Sequence, residues 1–145
     1  MMRITCQTGE SVEISSHRWA TGNLSDLSLH RAVFTNRELN GFQFDRSDLR
    51  GALLDHARLR FASFRQVKSM NTLFKGADLF GASFEGASLV GAVFDGADLR
   101  DSVLTGADLA YATFIGCDMR GARLDSLRMN LADFSRAILE GPGVG

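Results

Sequence analysis

The chain has 145 residues, a formal net charge of −1, 45% hydrophobic residues, two cysteines and one proline. That length makes one domain, the near-zero charge implies neither nucleic acid nor membrane, and two cysteines are too few for a disulfide framework. No apolar run reaches the ~20 residues a membrane helix needs, and the N-terminus lacks the apolar core of a secretory signal, so a cytoplasmic protein is the default expectation.

Residues 1–23 lie outside any clear repeat. Met2, Ile4 and Cys6 alternate with Arg3, Thr5 and Gln7, then Thr8-Gly9-Glu10 reads as a turn and Val12-Glu13-Ile14 as a returning strand. The expectation is an N-terminal cap over 1–23, a β-hairpin or an irregular first coil. Trp19 sits at the edge of the frame that follows, where its indole could plug the open end.

From Leu24 a large apolar residue recurs every five positions, with Ser69 as the exception from Leu29 to Leu139. Such fixed-period self-similarity outranks other signals. At about 100° per residue a helix would scatter these centres around its axis. A straight strand would put successive centres on opposite faces, because side chains alternate with period two. The pattern fits short strands joined by corners, with each centre and the residue two before it pointing inward. Two places after the centre comes glycine in units such as Gly76, Gly81 and Gly86, which suits corners of positive φ. The lone Pro142 lies beyond the last centre, so every unit keeps its N–H for pairing. From Leu24 to Asn71 the units are irregular: Arg37 and Phe42 stand where Ala is usual. From Thr72 to Gly121 they are nearly uniform.

Units such as Ala77-Asp78-Leu79, Ala97-Asp98-Leu99 and Ala107-Asp108-Leu109 resemble the motif of the pentapeptide-repeat family, over roughly residues 24–140. The resemblance implies an all-β fold: a right-handed four-sided β-helix, a solenoid of about six coils with no substantial helix. Residues twenty apart then stack, giving columns such as Phe34, Leu54, Phe74, Phe94, Phe114 and Phe134. At Ser69 the larger Val67 could make up the missing volume. Cys117 holds an inward small position and reads as a buried, inert thiol.

The last coil presents Leu127, Met129, Leu131, Ile138 and Leu139, and residues 141–145 read as a flexible tail. An uncovered coil invites pairing, so a two-fold homodimer through this end is expected. Family members that protect DNA gyrase are dimers through this end, so the resemblance implies the same. The other reading is a monomer whose tail folds over the end.

The outward positions carry the candidate partner-binding residues. Leu53, Leu73 and Val93, with Val33 before them, form an apolar column, which reads as a contact surface or as plain β-propensity. Phe61 and Phe80 lie near Arg60, Arg100 and Arg120, as interface anchors or as Arg-shielded aromatics. Asp78, Asp98 and Asp118 form another column. With Asp95, Asp101, Asp108 and Glu85 against Lys75 and Arg100, they leave residues 71–118 at net −5. This reads either as a DNA-like acidic face or as Asp side chains bonding turn backbone.

His17, His30 and His56 are not at metal-ligand spacing, no phosphate-binding glycine loop precedes a helix, and a solenoid filled by small residues offers no substrate pocket. The expectation is a non-enzymatic protein without metal or cofactor. It would be a rod that binds a protein partner and not nucleic acid directly, protecting against or inhibiting a DNA-acting protein. That means topoisomerase protection or immunity against a nuclease-type toxin. An assembly scaffold or regulatory module with no nucleic-acid theme is the alternative.

Overall fold

The computed structural model describes residues 1–140; the tail expected over 141–145 lies outside the described residues. Two four-residue strands open the chain. β1 (Met2–Thr5) and β2 (Ser11–Ile14) pair antiparallel, with Met2 opposite Ile14 and Thr5 opposite Ser11. The alternation that marked them as strands turns Ile4 and Ile14 inward, and both are buried.

A single turn of helix follows, α1 (Ser16–Thr21). Ser15 caps it, its hydroxyl accepting from the Arg18 N–H at 3.2 Å, and Gly22 ends it in the left-handed conformation at φ 69°. These are the residue types that start and stop helices. Trp19 therefore sits on a helix and not in the five-residue frame. Its indole meets Phe42 edge-on at 5.2 Å, and the Arg37 guanidinium lies 5.6 Å from its centre. The two substitutions that make the first coils irregular are the two residues that receive the helix.

From Asn23 onward the chain winds as a four-sided coil. Residues twenty apart form parallel bridges in an unbroken series, from Asn23 with Gln43 to Asp118 with Ile138. Each centre from Leu24 to Met119 donates its N–H to the carbonyl nineteen residues later, as Phe74 does to Val93 at 2.7 Å. The second residue after each centre turns the corner with positive φ, whether it is Gly76 at 65° or Phe61 at 58°. Stacked rings measure the rise per coil: Phe74 and Phe94 are 4.8 Å apart, the spacing of paired strands.

The interior is two phenylalanine stacks meeting edge to face. Phe74, Phe94, Phe114 and Phe134 stack within 5° of parallel, as do Phe44, Phe64 and Phe84. Phe64, Phe74, Phe84 and Phe94 cross between stacks at 5.5–5.6 Å and 88–89°. Both geometries are the favourable ones for aromatic rings. Ser69 is accommodated by polarity as well as volume. Its hydroxyl donates to Thr72 Oγ1 at 2.8 Å, and Thr72 donates to the Leu49 carbonyl at 2.6 Å. Val67, two residues before, is also buried.

The hairpin closes the N-terminal end. Cys6 pairs antiparallel with Ala32, Val33 donates to the Thr5 carbonyl at 2.8 Å, and Gln7 donates to Arg31 at 3.0 Å. Thr5, at the end of β1, and the following Cys6 and Gln7 thus occupy the coil edge at Arg31, Ala32 and Val33.

Candidate interaction surface

The four flanks of the rod differ in chemistry because each outward column repeats one sequence position every twenty residues. Three are polar. The columns through Ser63 and Ser83, through Lys68 and Asp108, and through Arg58, Asp78, Asp98 and Asp118 carry hydroxyls and charges. The fourth runs Val33, Leu53, Leu73, Val93, Thr113, and all five side chains are partly exposed. Met70 and Val90 border it, as does Tyr111, which is 60% exposed. This is the one apolar outward column among the described residues below the last coil.

The acidic column is not a row of free charges. Asp98 holds Arg100 at 2.7 Å, Asp118 holds Arg120 at 2.5 Å, and Arg60 reaches from the coil below to Asp78 at 2.6 Å. Arg100 also stands 3.9 Å from Asp118. Each of the three carboxylates accepts a backbone N–H two residues on, from Phe80, Arg100 and Arg120 at 3.1–3.3 Å. Hydrogen bonding by Arg100 holds Asp98 below the usual carboxylate range, and Arg120 does the same for Asp118. Both expected roles, turn bonding and charge display, compete for the same oxygens. Asp95, Asp101 and Asp108 have no ion-pair partner among the described residues. The sequence signal for this pairing was the triplet Asp-x-Arg at 48–50, 98–100 and 118–120.

Phe61 and Phe80 meet edge-on at 5.6 Å, and Arg60 and Arg100 each lie 5.4 Å from the Phe80 ring. Phe80 is therefore half-buried beneath its neighbours, while Phe61 remains 65% exposed. The two stand on the opposite corner of the rod from Tyr111, so the aromatic pair and the apolar column are separate surfaces.

The expected end residues divide. Met129 and Leu139 are centres of the last coil, and with Leu124, Ala132 and Phe134 they line a shallow apolar concavity of about 420 Å³. Leu127 is partly buried beside them. Leu131 and Ile138 are on the flanks: Leu131 turns a corner at φ 58° and is 76% exposed, and Ile138 continues the Asp118 column.

Cys117 is buried, with its thiol donating to the Phe94 carbonyl at 2.6 Å, and burial pushes it up to about 12. Among the described residues no group of three His, Cys, Asp or Glu could hold a metal ion, and no helix is long and apolar enough to cross a membrane.

Comparison with known proteins agrees with this geometry. The sequence model for pentapeptide repeats matches residues 28–66, 70–106 and 102–141, in 8 copies. No curated protein matches the chain. Among solved structures, the pentapeptide repeat protein Rfr23 from the cyanobacterium Cyanothece 51142 is similar. It shares 25% identity at a TM-score of 0.55, over 77% of this chain and 66% of its own. A pentapeptide repeat protein of the Arabidopsis thaliana thylakoid lumen shares 23% identity at a TM-score of 0.45, over 79% of this chain and 66% of its own. QnrB1, a plasmid-mediated fluoroquinolone resistance protein, shares 23% at a TM-score of 0.34, over 77% of this chain and 64% of its own. The last two likenesses are too distant to bear on function. The chain spans just under two thirds of the length of each of these three. With more than half of its residues in the matched repeats, the chain belongs to the pentapeptide-repeat family, and its fold is that family's right-handed four-sided β-helix.

Proposed function

We propose that the chain is a non-catalytic rod that occupies a protein partner by surface complementarity. The observation that carries this reading is the unequal chemistry of the flanks. Three are polar, while Val33, Leu53, Leu73 and Val93 form a partly exposed apolar strip. Contiguous apolar surface marks contact sites.

The partner class this reading favours is a DNA-acting protein, which the rod would protect or inhibit. Its support is the net −5 of residues 71–118. With Asp78, Asp98 and Asp118 tied to arginines, the charge available for steering is that of Asp95, Asp101 and Asp108. A scaffold without a nucleic-acid theme would bind through the apolar strip alone. Binding measured from low to high salt separates the two: charge-driven association weakens steeply, and apolar docking hardly changes. Inhibition of DNA gyrase supercoiling by quinolones, with and without the protein, tests topoisomerase protection directly. If Leu73→Lys leaves partner binding intact, the strip is not the contact.

We infer also that two chains meet end to end through the last coil. The apolar concavity around Met129, Phe134 and Leu139 favours a symmetric cover. Light scattering should give twice the chain mass, and Leu139→Glu should halve it. A single-chain mass at micromolar concentration defeats the dimer.

A further inference from the structure

We propose that residues 1–22 act as a stopper: they close the first coil against a second copy of the chain, whose last coil would otherwise dock on it head to tail. The inference is separate from the partner reading and takes from the dimer reading only the exposed apolar end.

Every coil meets the next in the same way. Leu73 donates to the Ala52 carbonyl on one side at 3.0 Å, and Phe74 to the Val93 carbonyl on the other at 2.7 Å. A step between two chains would repeat these bonds. The last coil offers an apolar surface for it: Met129 is 49% exposed and Leu139 46%, beside Phe134 in the same concavity.

The two end coils also match in detail. The first coil's centres run from Leu24 to Leu39 and include one phenylalanine, Phe34; the last coil's run from Leu124 to Leu139 and include one, Phe134. A four-sided end can be set on another in four ways. One of them stacks Phe34 on Phe134, as Phe134 already stacks on Phe114 at 4.8 Å. In that register Arg123, Arg128 and Asp133 on the flanks face Asn23, Ser28 and Val33, so no charge among them meets its like. A contact of this kind joins unlike ends and does not close, so it propagates as a filament.

The hairpin blocks it by running the wrong way. Gln43, Asp48 and Leu53 donate to the carbonyls of Gly22, Leu27 and Ala32, each twenty-one residues earlier, whereas Val33 donates to Thr5. Thr5 therefore stands where a preceding coil would. All the isolated bridges of the coil are parallel, but Cys6 meets Ala32 antiparallel. β1 is in turn paired antiparallel with β2, so its far edge is taken. No parallel coil can add to that edge. Ile4 and Ile14, both buried in the core cluster, seal the end of the interior. The stopper leaves the rod one end for self-contact and fixes its length.

The test uses the full chain. Light scattering of the wild type should give a mass of no more than two chains at any concentration. Ile4→Asp with Ile14→Asp, which puts charge into the buried face of the hairpin, should give a mass that climbs past two chains with concentration. Electron micrographs should then show rods lengthening in steps of roughly 29 Å, six coils at about 4.8 Å each. Adding Leu139→Glu should return the mass to one chain. With Cys6→Ser added to the same variant, Glu38→Cys on one chain and Ile138→Cys on another should join by a disulfide, since the register places them on paired strands. Ser28→Cys should not join to Ile138→Cys.

The buried Cys117 thiol certifies the coils in each sample by staying unreactive. The proposal is overturned if the mass stays at the wild-type value while Cys117 is protected, if growth survives Leu139→Glu, or if Ser28→Cys joins as readily as Glu38→Cys. Ile4→Asp alone is the milder form, read in the same way. Fast labelling of Cys117 in it would mean that the hairpin holds the coils folded instead of closing an intact end, and overturns the proposal too. A wild type of single-chain mass removes the end-to-end dimer and leaves the stopper in place.

Discussion

The ring of Phe61 lies over Gly81, twenty residues on, so closely that a β-carbon on Gly81 would stand 2.6 Å from it. Gly81 also turns its corner at φ 68°. His56 covers Gly76 in the same way. At these two corners a large left-handed residue is met, one coil on, by a glycine that leaves room for its ring. Gly81→Ala should destabilise the protein by about 1–3 kcal/mol, from left-handed strain and overpacking together. In a Phe61→Gly background the loss should shrink to the strain alone. Urea unfolding of the four proteins in the cycle measures the coupling.

The phenylalanine stacks carry the interior. Phe94 is fully buried and touches rings on three sides, stacking on Phe74 and Phe114 at 4.8 Å and meeting Phe84 edge-on at 5.5 Å. Phe94→Ala should cost about 3–5 kcal/mol. Phe94→Leu, which keeps most of the volume, should cost clearly less. Because each coil touches only its neighbours, the alanine variant should also lose protection from amide exchange locally, in the coils around residue 94.

At the interruption of the repeat, Ser69 depends on Thr72 for its partner. Thr72→Val should cost about 1–3 kcal/mol, because it strands a buried hydroxyl. The double change Ser69→Leu with Thr72→Ala restores the apolar pattern of the other units and should recover most of that loss. Thermal unfolding of the single and double variants reads this directly. Equal stability of Thr72→Val and wild type would show the hydroxyl chain to be dispensable.

The Asp–Arg pairs set an acid limit. Arginine partners lower Asp48, Asp98 and Asp118 from their ordinary value of 3.8. A carboxylate lowered in the folded state adds stability that is fully present above 3.8 and lost as the pH falls through its lower folded value. The melting temperature should stay flat from pH 7 to about 5 and drop below about 4. Arg100→Ala should lower the plateau slightly and soften the drop. The pairs are partly exposed, so added salt should blunt both effects.

Cys117 supplies a probe of the intact coil. With the thiol buried and pushed up to about 12, it should not react with a disulfide reagent at pH 8 until the protein unfolds. Fast labelling of Cys117 under native conditions would mean that the fifth coil opens.

The ladder was legible in the sequence because a five-residue frame without a slip admits few other geometries, and the inward columns from Phe34 to Leu139 could be written down from it. α1 was not legible: six residues carry no periodicity, although Ser15 and Gly22 mark its two ends. Arg37 and Phe42 looked like decay of the repeat, yet they are the seat of Trp19. The Asp78, Asp98 and Asp118 column was legible as a column, but its charge was not. The column depends on spacing twenty, whereas Asp98 and Asp118 are neutralised by arginines only two residues away, which a reading of stacked coils passes over.

The twenty-residue ladder also determines how this rod tolerates gain and loss of length. Excising four consecutive units would shorten it by one storey and leave each flank continuous. Excising one unit between Val93 and Leu53 would rotate everything above the cut by a quarter turn, so Val93 would leave the line of Leu53. Evolution by duplication can therefore lengthen such a protein freely in steps of twenty, while a change of five redraws which residues a partner meets.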